Sequence, residues 1–197
     1  MKGFPRSVMR RLVLAYSVRN RERKARLIAD FMRQHEVRTV LLVGSSTITS
    51  RNEGIVERRI TEHADLVAST DIADRRGVEW PFFVADGRHL PVAERAVDMV
   101  LANAVIEHVG DEADQARFVA EQTRVGRGWV ITTPNRWFPV ESHTSALFRH
   151  WSPAWSASRQ EFTRLLSRRE FARLLPDDAV IHGRPWSATF TATWWSS

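Results

Sequence analysis

"RTVLLVGSSTITSRNEG", residues 38–54, is the stretch on which the reading of the fold turns. Val40, Leu41, Leu42 and Val43 follow one another without a polar break, and the run over 37–44 closes on Gly44. Such a run marks a strand covered on both faces, because a strand with one wet face alternates polar and apolar side chains. A glycine at its end opens a phosphate or nucleoside loop when further glycines follow, since bare backbone N–H groups must approach the ligand closely. Here the second and third glycines are absent. The stretch predicts a buried parallel strand and leaves its loop to be decided by the rest of the chain.

Working outward, residues 54–63 carry helical periodicity, 66–72 read as a second strand, 81–85 as a third, and "VDMVLANA", 97–104, as a fourth. Residues 111–124 are helical, with Asp111 as the N-cap. A fifth strand spans 129–133 and ends at Pro134. Ser167 and Glu170 form a capping box at the start of a helix that stops at Pro176. Two strand-like stretches, 179–184 and 187–195, complete the pattern. Strand–helix alternation specifies a parallel sheet with right-handed crossovers, and the last two strands an antiparallel hairpin at one edge. The expected fold is therefore α/β, a Rossmann-like, mostly parallel doubly wound sheet of seven strands with an antiparallel C-terminal edge hairpin. No internal repeat or low-complexity segment interrupts it.

A chain of 197 residues is long enough for one domain with a sizeable core, and 43% apolar with 26% charged residues is ordinary for a globular protein. With no cysteine, disulfides, thiolate nucleophiles and Cys-ligated metals are excluded. The net charge of +6 is unevenly placed. Residues 1–38 hold eleven Lys/Arg against Glu22, Asp30 and Glu36, a balance of +8 that leaves −2 on the rest. All the basic residues except Lys2 and Lys24 are arginine. Val8, Leu12, Val13 and Tyr16, then Leu27, Ile28, Phe31 and Met32, recur at helical spacing among these arginines. Residues 1–36 thus read as a basic amphipathic helical arm before a domain at 37–197, either one long helix or two short ones. The arm is expected to lie across the domain with a solvated basic face, and to cover any cofactor. No aromatic residues alternate with the arginines, so base stacking has no support and a nucleic-acid partner is not expected. The apolar run at the start is too short for a signal sequence or a membrane span, and the expected location is the cytoplasm.

In a doubly wound sheet, ligands bind outside the carboxyl ends of the strands near the switch point. Gly44, Asp71, the pair Asp86-Gly87 and the pair Asn103-Ala104 stand at those ends. An acidic side chain after the second strand can accept from both hydroxyls of a ribose, and Asp86 could accept from an adenine amine.

"FFVADGRHLPVAERAVDMVLANAVIEHVGD", followed by "FVAEQTRVGRGWVITTPNRWFPVESHT", resembles the class I S-adenosylmethionine-dependent methyltransferases. The nearest branch is the type-11 small-molecule group, with its D-x-x-x-L-P-F, F-D-x-V, I/L-E-H-V and T-P-N motifs. The resemblance is specific over residues 82–145. It implies S-adenosylmethionine as cofactor and S-adenosylhomocysteine as product. It also implies that Asp71 holds the ribose with Ile72 beside it, that Asp86 and Gly87 hold the adenine edge, and that Asn103 and Ala104 line the methionine and sulfonium. Gly44, with Ser45 and Ser46, would form the opening loop. There the sequence departs from the family's acidic-x-G-x-G-x-G, since Leu42, Ser46 and Ile48 replace the acid and two glycines. The usual helix between Asp71 and Asp86 must be reduced to "ADRRGVEWP".

Methyl transfer asks mainly for alignment, because the sulfonium is already an activated donor. A base is needed where the acceptor is a hydroxyl or an acidic carbon. His143 and His108 are the candidates, with Glu141 as partner to His143. Glu107, His108 and His143 resemble part of a magnesium set, but Ala104 stands where its first glutamate would be, so no metal is expected. Trp137, Phe138, Phe148, Trp151 and Trp155 follow the fifth strand and could wall an acceptor pocket, form the core of a lid or form a dimer contact. The expected activity is methylation, at O or N, of a small aromatic, sugar-like or secondary-metabolite acceptor, by a possible homodimer. Two alternatives stand beside it. One is a methyltransferase-fold protein with other chemistry or binding only, and the other an RNA methyltransferase docking through the arginine arm.

Overall fold

The computed structural model describes residues 6–44, 54–74, 80–139 and 162–196. Seven strands form one sheet: β1 (Thr39–Val43), β2 (Asp65–Asp71), β3 (Phe82–Val84), β4 (Val97–Asn103), β5 (Gly126–Pro134), β6 (Val180–His182) and β7 (Thr189–Trp195). Their order is β3-β2-β1-β4-β5-β7-β6. β1 to β5 pair in parallel, and β7 runs antiparallel to both β5 and β6. The class expected from the alternation is the class observed. Strand order reverses between β1 and β4, so the switch point lies there.

The apolar run in β1 works by sending alternate side chains to opposite layers. Leu41 and Val43 enter one core with Val100, Ala102, Phe118, Trp129, Ile131, Phe171 and Phe190. Val40 and Leu42 enter the other with Met99, Leu101 and Val130. The first layer is roofed by α3 (Glu112–Val125) and α4 (Arg168–Leu174). The second is roofed by α1 (Arg6–Gln34) and α2 (Ile55–Thr61), through Ala25, Ile28, Met32, Val56 and Ile60. Asp111 caps α3 by accepting from the Asp114 N–H, and Ser167 and Glu170 close the capping box of α4.

α1 is a single helix, which resolves the choice between one and two. It ends in a Schellman arrangement. The Val37 N–H donates to Met32 O at 2.9 Å and the Glu36 N–H to Arg33 O at 3.3 Å, with Glu36 at φ 51° where glycine is usual. Phe31 and His35 then pack on Trp195, His35 stacking on it at 4.4 Å, so the helix end is tied to β7. The connection from β3 to β4 contains no helix, whereas residues 75–79 of the shortened β2–β3 link lie outside the described residues.

Two stability changes follow from this packing. Phe118→Ala, at a fully buried position, should cost about 3–5 kcal/mol in urea unfolding. Glu36→Gly should raise stability by roughly 0.5–1 kcal/mol, the left-handed strain relieved less the added chain entropy. A loss of stability in Glu36→Gly would show that the cap is not under strain.

Candidate functional site

The register brings the strand tips together. Val43 pairs with Thr70 on one side and Ala102 on the other, so Gly44, Asp71 and Asn103 sit side by side at the carboxyl edge. The Gly44 N–H donates to Thr70 O at 2.8 Å, and its φ of +78° is in the left-handed region. A Cβ at Gly44 would lie 2.2 Å from Val105 Cγ2, so both backbone and space require glycine. Half-buried Asp71 accepts from the Ala73 N–H at 2.9 Å through Oδ1, forming a turn that presents Ile72. Ile72 is 76% exposed, a large apolar side chain bare to solvent beside a carboxylate. Ser45 and Ser46, predicted for the same loop, lie outside the described residues.

Asp86 and Gly87 stand beyond β3, and each is engaged within the protein. Asp86 receives the Arg88 guanidinium on both carboxylate oxygens, and Arg88 reaches on to Asp114 Oδ1 of α3 at 2.7 Å. The hydrogen bond from Arg88 holds the Asp86 carboxyl below its ordinary range, against burial, which acts the other way. Gly87 packs so closely that a Cβ would fall 2.6 Å from Phe118 Cε2, and its carbonyl accepts from Gln122 Nε2 at 2.7 Å. This pair therefore fastens the β3–β4 connection to α3.

The polar centre of the crevice is one that sequence reasoning missed. Lys24 of α1 reaches over the tips of β4 and β5, its Nζ donating to Asn103 Oδ1 at 2.7 Å and Thr132 Oγ1 at 3.4 Å. Asn103 Nδ2 donates to Glu57 Oε1 of α2 at 3.0 Å, and the Thr132 hydroxyl donates to Asn103 Oδ1 at 2.9 Å. The Ala104 N–H in turn donates to Thr132 Oγ1 at 3.1 Å, with Ala104 at φ 59°. Burial pushes the Lys24 amine down to about 8, while Glu57 and Glu107 pull it up and Arg21 pushes it further down. The one available signal was compositional: Lys24 is a lysine in a helix whose other basic residues are all arginine.

A 3-10 turn (Ile106–His108) follows β4. Glu107 is fully buried there and accepts from the Thr133 hydroxyl at 3.3 Å through Oε2. His108 Nδ1 lies 3.1 Å from Phe162 O and 3.4 Å from Thr163 Oγ1, so as the Nδ1–H tautomer it anchors the returning chain. His143 and Glu141 lie outside the described residues, as do Phe148, Trp151 and Trp155. Among the described residues no group of three His, Asp or Glu side chains converges to hold a cation, and no helix is long and apolar enough to cross a membrane.

The Arg88 contacts carry a pH dependence. The hydrogen bonds from Arg88 depress both Asp86 and Asp114 in the folded state, so their contribution is present above the ordinary carboxylate range and lost as pH falls through the depressed values. The stability gap between wild type and Arg88→Met should be constant above about pH 5 and shrink below about pH 4 in urea titrations. A gap independent of pH down to 2 would mean the pairing is absent in solution.

Residues 59–130 match the family model described as a methyltransferase domain. No curated protein matches the sequence. Among solved structures, the fold is similar to an S-adenosylmethionine-dependent methyltransferase from Clostridium acetobutylicum, with TM-score 0.61, 7% identity, and 88% of this chain and 91% of that one covered. It is also similar to magnesium protoporphyrin IX methyltransferase from Synechocystis with bound S-adenosylhomocysteine, with TM-score 0.59 and 9% identity over 100% and 90% of the two chains. A methyltransferase from Methanosarcina mazei gives TM-score 0.54 and 12% identity over 85% and 98%. At such identities the structures speak for the fold alone, but the motif-bearing segment matches independently at the level of sequence. Residues 59–130 thus carry a methyltransferase-domain signature, set in a fold similar to that of these methyltransferase structures.

Proposed function

We propose that the enzyme methylates a small-molecule acceptor at oxygen or nitrogen, with S-adenosylmethionine held across the tips of β2, β1 and β4. The residues at those tips fit the cofactor. The observation that carries the reading is the pairing of half-buried Asp71 with Ile72, 76% exposed, at the end of β2 next to the bare backbone of Gly44. A carboxylate suits two ribose hydroxyls, an exposed aliphatic side chain suits the face of an adenine, and a glycine permits close approach of the chain. Asp86 and Gly87 would border the adenine edge while fastened to α3, and Asn103 and Ala104 the methionyl end. Ser45 and Ser46 are assigned to the same loop. When bound, the cofactor supplies a methyl group already activated on a sulfonium.

What the chain adds is alignment and the exclusion of water. α1 lies over the crevice, and two turns before Lys24 it carries Tyr16, which stacks on Phe138 at 5.8 Å and 9°. Trp137 beside it is 61% exposed, with the Arg136 guanidinium 6.0 Å over its ring. Eight residues of helix span about 12 Å, so the aromatic surface begins within one small molecule's length of the β4 tip. That favours a planar or apolar acceptor. His108, and His143 with Glu141, are the residues assigned from sequence to proton handling.

Calorimetric titration tests the reading. S-adenosylmethionine and S-adenosylhomocysteine should both bind, and Asp71→Asn should weaken them by about 10- to 100-fold with little change in melting temperature, as the loss of hydrogen bonds to a charged acceptor requires. Absence of heat at millimolar ligand would remove the assignment, and unaltered affinity in Asp71→Asn would remove the role of Asp71.

A further inference from the structure

We propose that Arg88 is a specificity-determining residue of the cofactor site: by binding the Asp86 carboxylate, it withholds from an adenine ring the acceptor that would select its 6-amino group. The adenine is set beside Asp86 by the methyltransferase reading above, on which this proposal rests. The family motif implies that Asp86 itself holds the adenine edge. In this chain the carboxylate is already committed to a neighbour two residues away.

The backbone places Asp86 at the crevice. Val84 pairs with Asp71 across β3 and β2, and the Ala85 N–H donates to Asp71 O at 3.0 Å. Asp86 comes next, beside the carboxylate assigned to the ribose. Gly87 follows against the end of β1, where a Cβ would lie 3.1 Å from Cγ1 of Val43, the residue before Gly44. The Asp86 side chain is 36% exposed, so it is not shut away in the core. Its position alone would suit it to accept from an amine in the crevice.

Its lone pairs are the obstacle. An ionised carboxylate offers about four acceptor sites, two on each oxygen. Oδ1 receives the Arg88 backbone N–H at 2.9 Å and Nε at 3.0 Å, while Oδ2 receives Nε at 3.0 Å and Nη2 at 2.6 Å. Each oxygen is met twice, and every donor belongs to Arg88. The guanidinium also neutralises the charge that makes a carboxylate a strong acceptor. An adenine amine would offer a neutral donor in place of a charged, bidentate one, and the charge-assisted bonds are the stronger.

Arg88 is held from its far side as well. Nη1 donates to Asp114 Oδ1 of α3 at 2.7 Å, so a guanidinium swung away from Asp86 would forfeit a second ion pair. The hydrogen bonds from Arg88 lower both carboxyls, and those to Asp86 and Asp114 raise the guanidinium, so the three charges support one another. Asp114 also accepts from Arg117 Nη2 at 2.6 Å. Removal of Arg88 therefore leaves α3 its own partner for Asp114 and frees the Asp86 carboxylate.

Calorimetric titration with S-adenosylhomocysteine, and with its analogue carrying hydrogen in place of the 6-amino group, reads the preference for the amine directly. Arg88→Met should raise that preference about tenfold over wild type, the worth of a hydrogen bond to a freed carboxylate. Adding Asp86→Ala to Arg88→Met should remove the gain. In wild type, the Arg88 Nε–Hε resonance, identified by its absence from Arg88→Lys, should have the same shift with either ligand. A preference that does not rise in Arg88→Met would overturn the proposal, and so would a gain that survives Asp86→Ala. Were Arg88→Met not to fold, the wild-type resonance decides alone, and a shift that differs between the two ligands would show the amine reaching Asp86. If S-adenosylhomocysteine did not bind wild type at all, the methyltransferase reading would fall and this one with it. Binding without the expected gain would remove this proposal and leave that reading standing.

Discussion

The structure depends on the lateral pairing of β1 with β4, two strands buried on both faces whose carboxyl ends meet where the strand order reverses. Val40 pairs with Met99 and Val43 with Ala102, so four consecutive apolar residues of each strand feed both cores at once. That burial sets the register, because a slip by one residue would exchange the contents of the two layers. Register in turn decides that Gly44 and Asn103 become neighbours. The crevice between them follows from the core below it.

Several polar residues then serve the crevice and the scaffold together. Thr132 is fully buried within β5, yet its hydroxyl links Asn103, Ala104 and Lys24. Glu107 is buried at the turn after β4, and its backbone carbonyl accepts from the Arg164 N–H at 2.7 Å, tying the returning chain to the site. Asp98, at the opposite end of β4, accepts from the N–H groups of Arg38 and Thr39 at 3.0 Å and fixes where β1 starts. Both ends of the central pair are therefore pinned by hydrogen bonds, and the apolar middle supplies the bulk of the stability.

The basic helix has a different significance in three dimensions from the one its composition suggests. Arg19, Arg23, Arg26 and Arg33 face outward, as the exposed Arg26–Glu22 pair illustrates, while Ala25, Ile28 and Met32 face the sheet. Lys24 lies between these two faces, and its long aliphatic stem lets the amine reach the strand tips. An excess of positive charge on a helix is thus compatible with one amine of that helix being bonded inward to the strand tips.

The order and type of the elements were legible from local pattern, because strand burial, capping chemistry and turn residues act within a few positions of one another. The apolar run of β1, the Asp111 cap and the Ser167–Glu170 box are of this kind. So was the row of polar strand ends, since doubly wound topology dictates where they gather. Lys24, Glu57 and Thr132 were not legible, for they belong to three elements far apart in the chain and carry no spacing relative to one another. The engagement of Asp86 with Arg88 and Asp114 was equally hidden, because it depends on how α3 packs against the β3–β4 connection. Sequence alone determined the type of the sheet and the polar residues that end its strands, through patterns that act over a few residues. Only tertiary packing decided the reversal between β1 and β4 and which cation stands over it, because a long-range contact has no local signature until the layers close.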